Sequence, residues 1–196
     1  MSVYVAGVDE AGRGPLAGPV LAAAVILRPG SCLDGIGDSK TLDAKTRRRL
    51  AARICRDAAS FGIGWADPAE IDALDILQAT FLAMRRAVLA LAVPPGHLLV
   101  DGNRLPPLGG LGGRITAQAI VRGDASEPAI GAASILAKTA RDAYMERMDA
   151  RYPRYAFARH KGYPTAEHRR LLERYGACPL HRRSFAPVAL CIGARQ

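Results

Sequence analysis

Two adjacent carboxylates, followed by glycines and one arginine, are the residues of this sequence best suited to chemistry. Asp9 and Glu10 come directly after the apolar run Val3–Val8, and Gly12-Arg13-Gly14 follows them closely. Carboxylates at the end of a strand are hard oxygen ligands of the kind that Mg²⁺ and Mn²⁺ take. Glycines let a bulky ligand approach the main chain, and arginine suits a phosphate group. This pattern indicates a divalent metal acting beside a phosphodiester.

Two further acids follow predicted strands in the same way. Asp101 comes after the apolar segment His97–Val100, and Asp124 comes shortly after Ile115–Val121. The ends of adjacent strands in an α/β sheet form a crevice for ligands, so we expect these acids to converge with the first two. Any one of them alone is typical of a turn. Four together would repel one another unless cations neutralise them, and this favours a metal site.

Hydrolysis of a phosphodiester fits such a site when two divalent ions lie about 4 Å apart and share a carboxylate. Asp9 is the candidate for the shared ligand, with Glu10 and Asp101 on one ion and Asp124 on the other. Neighbouring side chains of a regular strand point to opposite faces. Asp9 and Glu10 therefore both reach the site only if the strand bends, and Gly12 would permit a bend.

The surrounding sequence predicts an α/β fold with a mixed five-stranded central sheet flanked by helices. The predicted strands are Val3–Val8, Val20–Leu27, Phe61–Ala66, His97–Val100 and Ile115–Val121. The predicted helices are Ser39–Ser60 with a basic face, Asp67 to about Val93 with a break near Asp72–Asp75, Ile130–Arg151, and short pieces around Thr165–Tyr175. We expect residues 1–196 to form one domain, in which about 152–196 is a small, basic, helical C-terminal part carrying Tyr163.

The composition indicates a nucleic-acid partner. The formal net charge is +9, the sequence pI is near 9.9, and only four of the 27 basic residues are lysines. Arginine binds phosphate bidentately and stacks on bases. A G+C-rich genome explains the arginine excess equally well, but it does not explain the sign of the net charge.

The cysteine spacing and the apolar runs bear on the compartment. The four cysteines show no zinc-ligand spacing, and the longest apolar run, Pro19 to Leu27, is far short of the about 20 residues that span a bilayer. We therefore predict a cytoplasmic protein with free thiols and no membrane partner.

The chain resembles bacterial ribonuclease HII, the type 2 ribonuclease H, over nearly its whole length. The matching motifs are GVDEAGRGPLAGP at 7–19, DSK at 38–40, ILQATFLAM at 76–84, VDGN at 100–103, AASILAK at 132–138, HKGYPT at 160–165 and HRRSFAPV at 181–188. The resemblance implies an RNase H-like fold and endonucleolytic cleavage of RNA in RNA–DNA hybrids, including single ribonucleotides in duplex DNA. It implies a cut 5′ of the ribonucleotide that leaves a 3′-hydroxyl and a 5′-phosphate, with Mn²⁺ or Mg²⁺, in primer removal and ribonucleotide excision.

The resemblance also assigns residues by position. The four catalytic and metal-binding acids fall on Asp9, Glu10, Asp101 and Asp124, and Gly12-Arg13-Gly14 matches the loop that reads the ribonucleotide's 2′-hydroxyl through main-chain atoms. That hydroxyl is the group that distinguishes RNA from DNA. Tyr163 matches the tyrosine that packs on the following deoxyribose. Without the motif it would be read as a surface tyrosine in a turn.

Other nucleic-acid contacts are weaker predictions. Ser39 would cap the basic helix and Lys40 would meet a backbone phosphate, with His160 and Lys161 on the phosphate side. Ser134 and Lys138 either face the site or are ordinary helix-surface residues. His97, His168 and His181 are read as structural or exposed. The sequence departs from the family at Thr41, where a lysine is common, and at Ala125, where a serine is usual.

Three other functions compete with this one. A type 3 ribonuclease H shares the fold and the acids but acts on longer RNA tracts and lacks the Gly-Arg-Gly loop. A non-catalytic nucleic-acid-binding module leaves four acids without a purpose, and a small-molecule phosphatase leaves the +9 charge unexplained. We expect a monomer, because no exposed apolar stripe demands a dimer, and the C-terminal segment 189–196 carries no obvious sliding-clamp motif.

Overall fold

A computed structural model describes residues 4–30, 42–111 and 114–194 and contains a five-stranded mixed sheet. The strands are β1 (Val5–Ala11), β2 (Val20–Ile26), β3 (Ser60–Ala66), β4 (His97–Asp101) and β5 (Thr116–Ile120). Their order is β3-β2-β1-β4-β5, in which β1 pairs with β2 and β2 with β3 antiparallel, while β1 pairs with β4 and β4 with β5 in parallel. The predicted α/β fold with a mixed central sheet is confirmed.

Eight α-helices and one 3₁₀ turn, Pro153–Tyr155, occur in the described residues. The helices are α1 (Ala44–Asp57), α2 (Pro68–Leu74), α3 (Ile76–Leu89), α4 (Gly123–Ser126), α5 (Pro128–Arg151), α6 (Phe157–His160), α7 (Ala166–Tyr175) and α8 (Ala186–Gly193). The predicted break before α3 is confirmed, since Asp75 has a φ of 71° and its carboxylate accepts from the amides of Leu77 and Gln78.

The prediction that Ser39 caps the basic helix is wrong. The helix begins at Ala44, and its N-cap is Asp43, whose carboxylate accepts a 2.7 Å hydrogen bond from the Thr46 amide. Aspartate is among the strongest N-cap residues, so the helix begins directly after Asp43. Ser39, Lys40 and Thr41 themselves lie outside the described residues.

The two faces of the sheet are covered by different helices. Along β2, Ala22, Ala24 and Ile26 pack in one cluster with α3, whereas Ala23 and Val25 pack with α1 and α5. Strand side chains alternate between faces. Because Ala6 and Val8 of β1 lie in the α3 cluster, the same alternation directs Asp9 toward α5 and Glu10 toward α3.

Helix α5 packs directly on β1 at a glycine. A β-carbon at Gly7 would lie 2.1 Å from the carbonyl carbon of Ala129, so the first turn of α5 touches the β1 backbone. This close approach sets the distance between α5 and the strand that carries the first two acids.

The C-terminal segment lies against the glycine-rich loop after β1. Ala17 and His181 form an antiparallel bridge, and the Arg182 amide donates to the Leu16 carbonyl. The Asp72 carboxylate of α2 accepts from the amides of Arg183 and Ser184. These contacts bring the C-terminal part to the loop that the sequence assigns to recognition.

No helix in the described part of the chain is long and apolar enough to cross a membrane. Cys55, Cys178 and Cys191 are free thiols, and Cys32 lies outside the described residues.

Candidate active site

Asp9, Glu10 and Asp101 line one cavity of about 350 Å³ at the end of β1 and β4. Strand β1 stays regular through both of its acids, because Glu10 pairs with Ala22 and Ala11 with Leu21 in the β2 ladder. The expected bend is therefore absent. Both carboxylates line the cleft because the β1–β4 ladder ends at Val8 and Val100, just before them. Glu10 and Asp101 also line a second cavity of about 360 Å³ on the α3 side.

The parallel pairing of β1 with β4 explains why Asp9 and Asp101 meet. Val8 pairs with Val100, so the next residue along each strand is an acid beside the other. The Asp124 amide donates to the Asp101 carboxylate at 3.3 Å, and Asp124 itself is buried in α4. The structure thus brings three acids to one cavity and places the fourth against Asp101, although Asp124 lines neither cavity.

The electrostatics of the cleft are those of crowded, buried carboxylates. Burial raises the pKa of Asp9 well above its usual value, and the negative charges of Glu10 and Asp101 raise it further, against a hydrogen bond from Ser134. Burial also raises the pKa of Glu10, while Arg13, whose guanidinium lies 3.5 Å from Glu10, opposes the shift. A cation in the cleft would relieve this repulsion.

The donor set of the cleft fits a divalent metal in chemistry and charge. Its carboxylate oxygens are the ligands that Mg²⁺ and Mn²⁺ prefer. Among the described residues, however, no three His, Cys, Asp or Glu side chains converge closely enough to hold an ion as they stand. The fit of the cleft to a metal therefore rests on its carboxylate donors and its negative charge.

Two buried arginines hold the glycine-rich loop after β1. Arg141 donates to the carbonyls of Pro19, Ala17 and Lys161 at 2.9–3.0 Å. Arg182 donates to the carbonyls of Gly18, Arg13 and Gly12 at 2.6–2.9 Å. Both arginines are fully buried, and no salt bridge with a carboxylate occurs for either among the described residues. We call this pair the arginine clamp, because it fixes five loop carbonyls from Gly12 to Pro19.

Burial lowers the pKa of Arg141 to about 10 and that of Arg182 to about 9, where the charge of Arg141 adds to the effect. Both guanidiniums stay protonated at pH 7. Sequence reasoning missed the clamp because arginine is typical of surfaces. One signal was present in the sequence: Arg141 lies four residues after Ala137 and four before Met145, so the three share one face of α5. All three are buried in the structure.

Gly12 is required where it stands. Its φ is +100°, and a β-carbon there would lie 2.0 Å from Nε of Arg141. Any side chain would therefore displace the clamp as well as strain the backbone. A β-carbon at Gly14 would meet nothing within 4 Å, and the Arg13 side chain is 51% exposed. The loop thus presents its arginine to solvent while its carbonyls are held from inside.

Tyr163 also lines the acidic cavity. Its side chain is 39% exposed, and its ring centroid lies 5.5 Å from Nζ of Lys138 and 5.8 Å from Cζ of Arg141. Gly12, Ser134 and Lys138 line the same cavity. Four of the predicted nucleic-acid residues therefore surround the acids, and their contacts with nucleic acid stay predictions.

The ring of His160 is bonded to the main chain, which speaks against its predicted phosphate contact, and Lys161 lies away from the acids. Nε2 of His160 donates to the Tyr155 carbonyl at 2.7 Å, and Nδ1 accepts from the Gly162 amide at 3.2 Å. Both ring nitrogens are thus used by the main chain, and neither is left for a phosphate. The Lys161 ammonium pairs with Glu146 at 2.9 Å and lines neither cavity that contains the acids.

His160 belongs to a buried histidine cluster with His168 and His181. The rings of His160 and His168 stack at 4.3 Å, and Nε2 of His168 lies 3.1 Å from Nε2 of His181. Nδ1 of His168 lies 2.9 Å from the Tyr163 carbonyl, so the cluster supports the backbone at the predicted recognition tyrosine. The structural interpretation of His168 and His181 agrees with their burial.

Acid should destabilise the protein through this cluster. Burial lowers the pKa of His168 and of His181 to about 4 from 6.5, so below pH 6.5 the unfolded chain takes up protons that the folded chain refuses. The free energy of unfolding is therefore expected to fall as pH drops from about 6.5 to about 4. Urea unfolding at pH 7.5 and pH 5 measures this fall, which should be smaller in His168→Gln protein. An equal fall in both proteins would contradict the assignment.

Comparisons with known proteins agree with this geometry. The family model described as Ribonuclease HII matches residues 6–188. A ribonuclease HII from Maricaulis maris (strain MCS10) is 58% identical over 99% of this chain and 87% of its own length. A ribonuclease HII from Laribacter hongkongensis (strain HLHK9) is 58% identical over 100% of this chain and 98% of its own length. The crystal structure of the ribonuclease H2 from Pyrococcus horikoshii OT3 matches with a TM-score of 0.83 at 26% identity, covering 97% of each chain. The acidic cleft and the clamped loop therefore belong to a chain of the ribonuclease HII family.

Proposed function

We propose that the protein hydrolyses the RNA strand of RNA–DNA hybrids and nicks duplex DNA 5′ of single embedded ribonucleotides, leaving a 3′-hydroxyl and a 5′-phosphate. Family membership makes it a ribonuclease H. The observation that supports the finer activity is the position of the clamped Gly12 and of Tyr163 on the walls of the cavity that Asp9, Glu10 and Asp101 line. We further propose that residues 1–196 act as one domain in ribonucleotide excision and primer removal.

The residues of the cleft divide the reaction between cutting and recognition. Two Mn²⁺ or Mg²⁺ ions, when bound, would supply an activated water and charge stabilisation at the leaving oxygen. Asp9, Glu10 and Asp101 would hold them, with Asp124 completing the set from its place against Asp101. The loop at Gly12 would contact the 2′-hydroxyl of the ribonucleotide, and the Tyr163 ring would pack against the next sugar.

Cleavage of duplex DNA that carries one ribonucleotide tests this function directly. With Mn²⁺ or Mg²⁺ we expect a single nick 5′ of the ribonucleotide, and we expect no nick with Asp101→Asn protein. A long RNA–DNA hybrid is assayed in parallel. Cleavage of the long hybrid alone would indicate the type 3 activity, and binding without cleavage of either substrate would indicate a non-catalytic module.

Tyr163→Ala is expected to lower kcat/KM on a single ribonucleotide by about 30-fold and on a long hybrid by about threefold, since loss of one ring contact costs about 1–3 kcal/mol where it is needed. Tyr163→Phe keeps the ring and should retain most activity on both substrates. Because the ring is partly exposed, the substitution should leave the melting temperature unchanged. Equal losses on the two substrates would remove Tyr163 from junction recognition.

A further inference from the structure

A small cavity lies between α1 and α5, beside the acidic cleft. Its volume is about 90 Å³, which exceeds the roughly 30 Å³ that one water occupies in the liquid and leaves room for a phosphate-sized anion. The polar side chains that line it are Arg47, Arg48, Thr139, Asp142, Glu146 and Lys161. None of the four catalytic acids contributes to it, so we treat it as a separate site, the α1–α5 cavity.

Two of the side chains that line this cavity each carry a buried polar atom without a hydrogen-bond partner. The atoms are Nε of Arg47 and Oγ1 of Thr139, and within the described residues they are the only two buried side-chain nitrogen or oxygen atoms in that condition. An unpaired buried polar group is unfavourable in the folded chain. Both atoms belong to side chains that line one cavity, so a small rotation of each side chain would let a ligand in the α1–α5 cavity accept a hydrogen bond from it.

The charges around the cavity select an anion. Asp142 is shared by Lys138 at 2.7 Å and Arg47 at 3.4 Å, and Glu146 is shared by Lys161 at 2.9 Å and Arg48 at 3.8 Å. Four cations therefore surround two carboxylates. The excess positive charge disfavours a metal ion, and the long arginine contacts leave guanidinium donors available for a further acceptor.

We propose that the α1–α5 cavity binds one backbone phosphate of the nucleic-acid substrate, to which Nε of Arg47 and Oγ1 of Thr139 donate hydrogen bonds. This inference rests on the proposed function. Arg47 lines both the α1–α5 cavity and the cavity of the catalytic acids, so a strand that crosses Asp9 passes this site. Arginine matches phosphate oxygens in geometry, and a phosphate is the acceptor that a nuclease substrate offers along its length.

The test measures hybrid binding by fluorescence anisotropy in the full chain carrying Asp101→Asn, at several salt concentrations. Adding Arg47→Gln should weaken binding about tenfold and lower the slope of log K against log salt by about 0.9, the value for one phosphate contact. Thr139→Val removes only an unpaired hydroxyl, so it should fold normally and weaken binding about threefold. Arg49→Gln removes the same charge from an exposed position of α1 and serves as the matched control, with less than about a twofold effect.

Methylphosphonate substitution then locates the contact. Neutralising one backbone phosphate at a time should weaken binding to the parent protein at one position near the cleavage site, and that position should have no effect in Arg47→Gln protein. If Arg47→Gln and Thr139→Val proteins bind like the Arg49→Gln control, the inference is wrong. If instead inorganic phosphate raises the melting temperature through Arg47 while no backbone position matters, the site takes free phosphate and the inference is also overturned. Failure of the parent protein to bind any hybrid would overturn the proposed function itself.

Discussion

Asp9→Asn protein is expected to lose at least about 1,000-fold in kcat on both single-ribonucleotide and long-hybrid substrates, which is about 4 kcal/mol of charge stabilisation at a metal-assisted step. Asp9 is the acid that the neighbouring strands crowd most, since Asp101 lies beside it across the parallel ladder and Glu10 follows it in the chain. Under the proposed mechanism, removing its charge would remove the ligand best placed to be shared between two ions. Rapid-quench kinetics with saturating Mn²⁺ measures the loss.

The same substitution should stabilise the metal-free protein. Burial and two neighbouring carboxylates penalise the ionised form of Asp9, so the free energy of unfolding should rise by about 1 kcal/mol and the melting temperature by about 3 °C in EDTA. Added Mn²⁺ should raise the melting temperature of the unsubstituted protein and have less effect on Asp9→Asn protein. Cleavage by Asp9→Asn protein at the rate of the unsubstituted protein would refute the metal site. If Asp9→Asn protein melted at a lower temperature than the unsubstituted protein in EDTA, the inferred repulsion between Asp9 and its neighbouring carboxylates would be wrong.

Arg182→Met is expected to lower kcat/KM on a single ribonucleotide by about 100-fold, because displacement of a recognition group by about 1 Å costs that much. The substitution removes the donors to the carbonyls of Gly12, Arg13 and Gly18. It should also lower the free energy of unfolding by about 3 kcal/mol, since these carbonyls lose their buried partner. Cleavage is measured well below the melting temperature of the variant, with Arg183→Met, an exposed neighbour, as the matched control.

A positioning role for Arg182 is separated from a merely structural one by comparing substrates. Cleavage of a long hybrid, which offers many ribonucleotides in register, should fall only about tenfold, so selectivity for the single ribonucleotide should drop. Arg182→Lys keeps the charge but offers one point contact in place of a fork, and should show the same change of selectivity with a smaller loss of stability. An equal loss on both substrates in both variants would reduce Arg182 to a structural residue.

The acids were within reach of sequence reasoning because their signals are local, whereas the recognition role of Gly12-Arg13-Gly14 comes from the family resemblance and stays a prediction. Asp9, Glu10 and Asp101 each follow an apolar segment closely, and the structure places them among the last three residues of β1 and at the end of β4. The break at Asp75 and the start of α2 after Asp67 were predictable for the same reason, since capping is decided within one turn. The predicted bend at Glu10 failed because the antiparallel partner β2 keeps β1 regular to Ala11.

The order of residue types along the chain was enough to establish a mixed α/β sheet, its acidic strand ends and its basic surface. The sequence alone could not show that Arg141 and Arg182 are buried, because they contact loop carbonyls more than 100 residues away. A guanidinium without a carboxylate partner is acceptable in the interior only once folding supplies those carbonyls. The sequence could likewise not show that the His160 ring is used by the main chain, or that Arg47 and Thr139 meet in one cavity. Such contacts depend on where distant segments pack, and packing is a property of the folded chain alone.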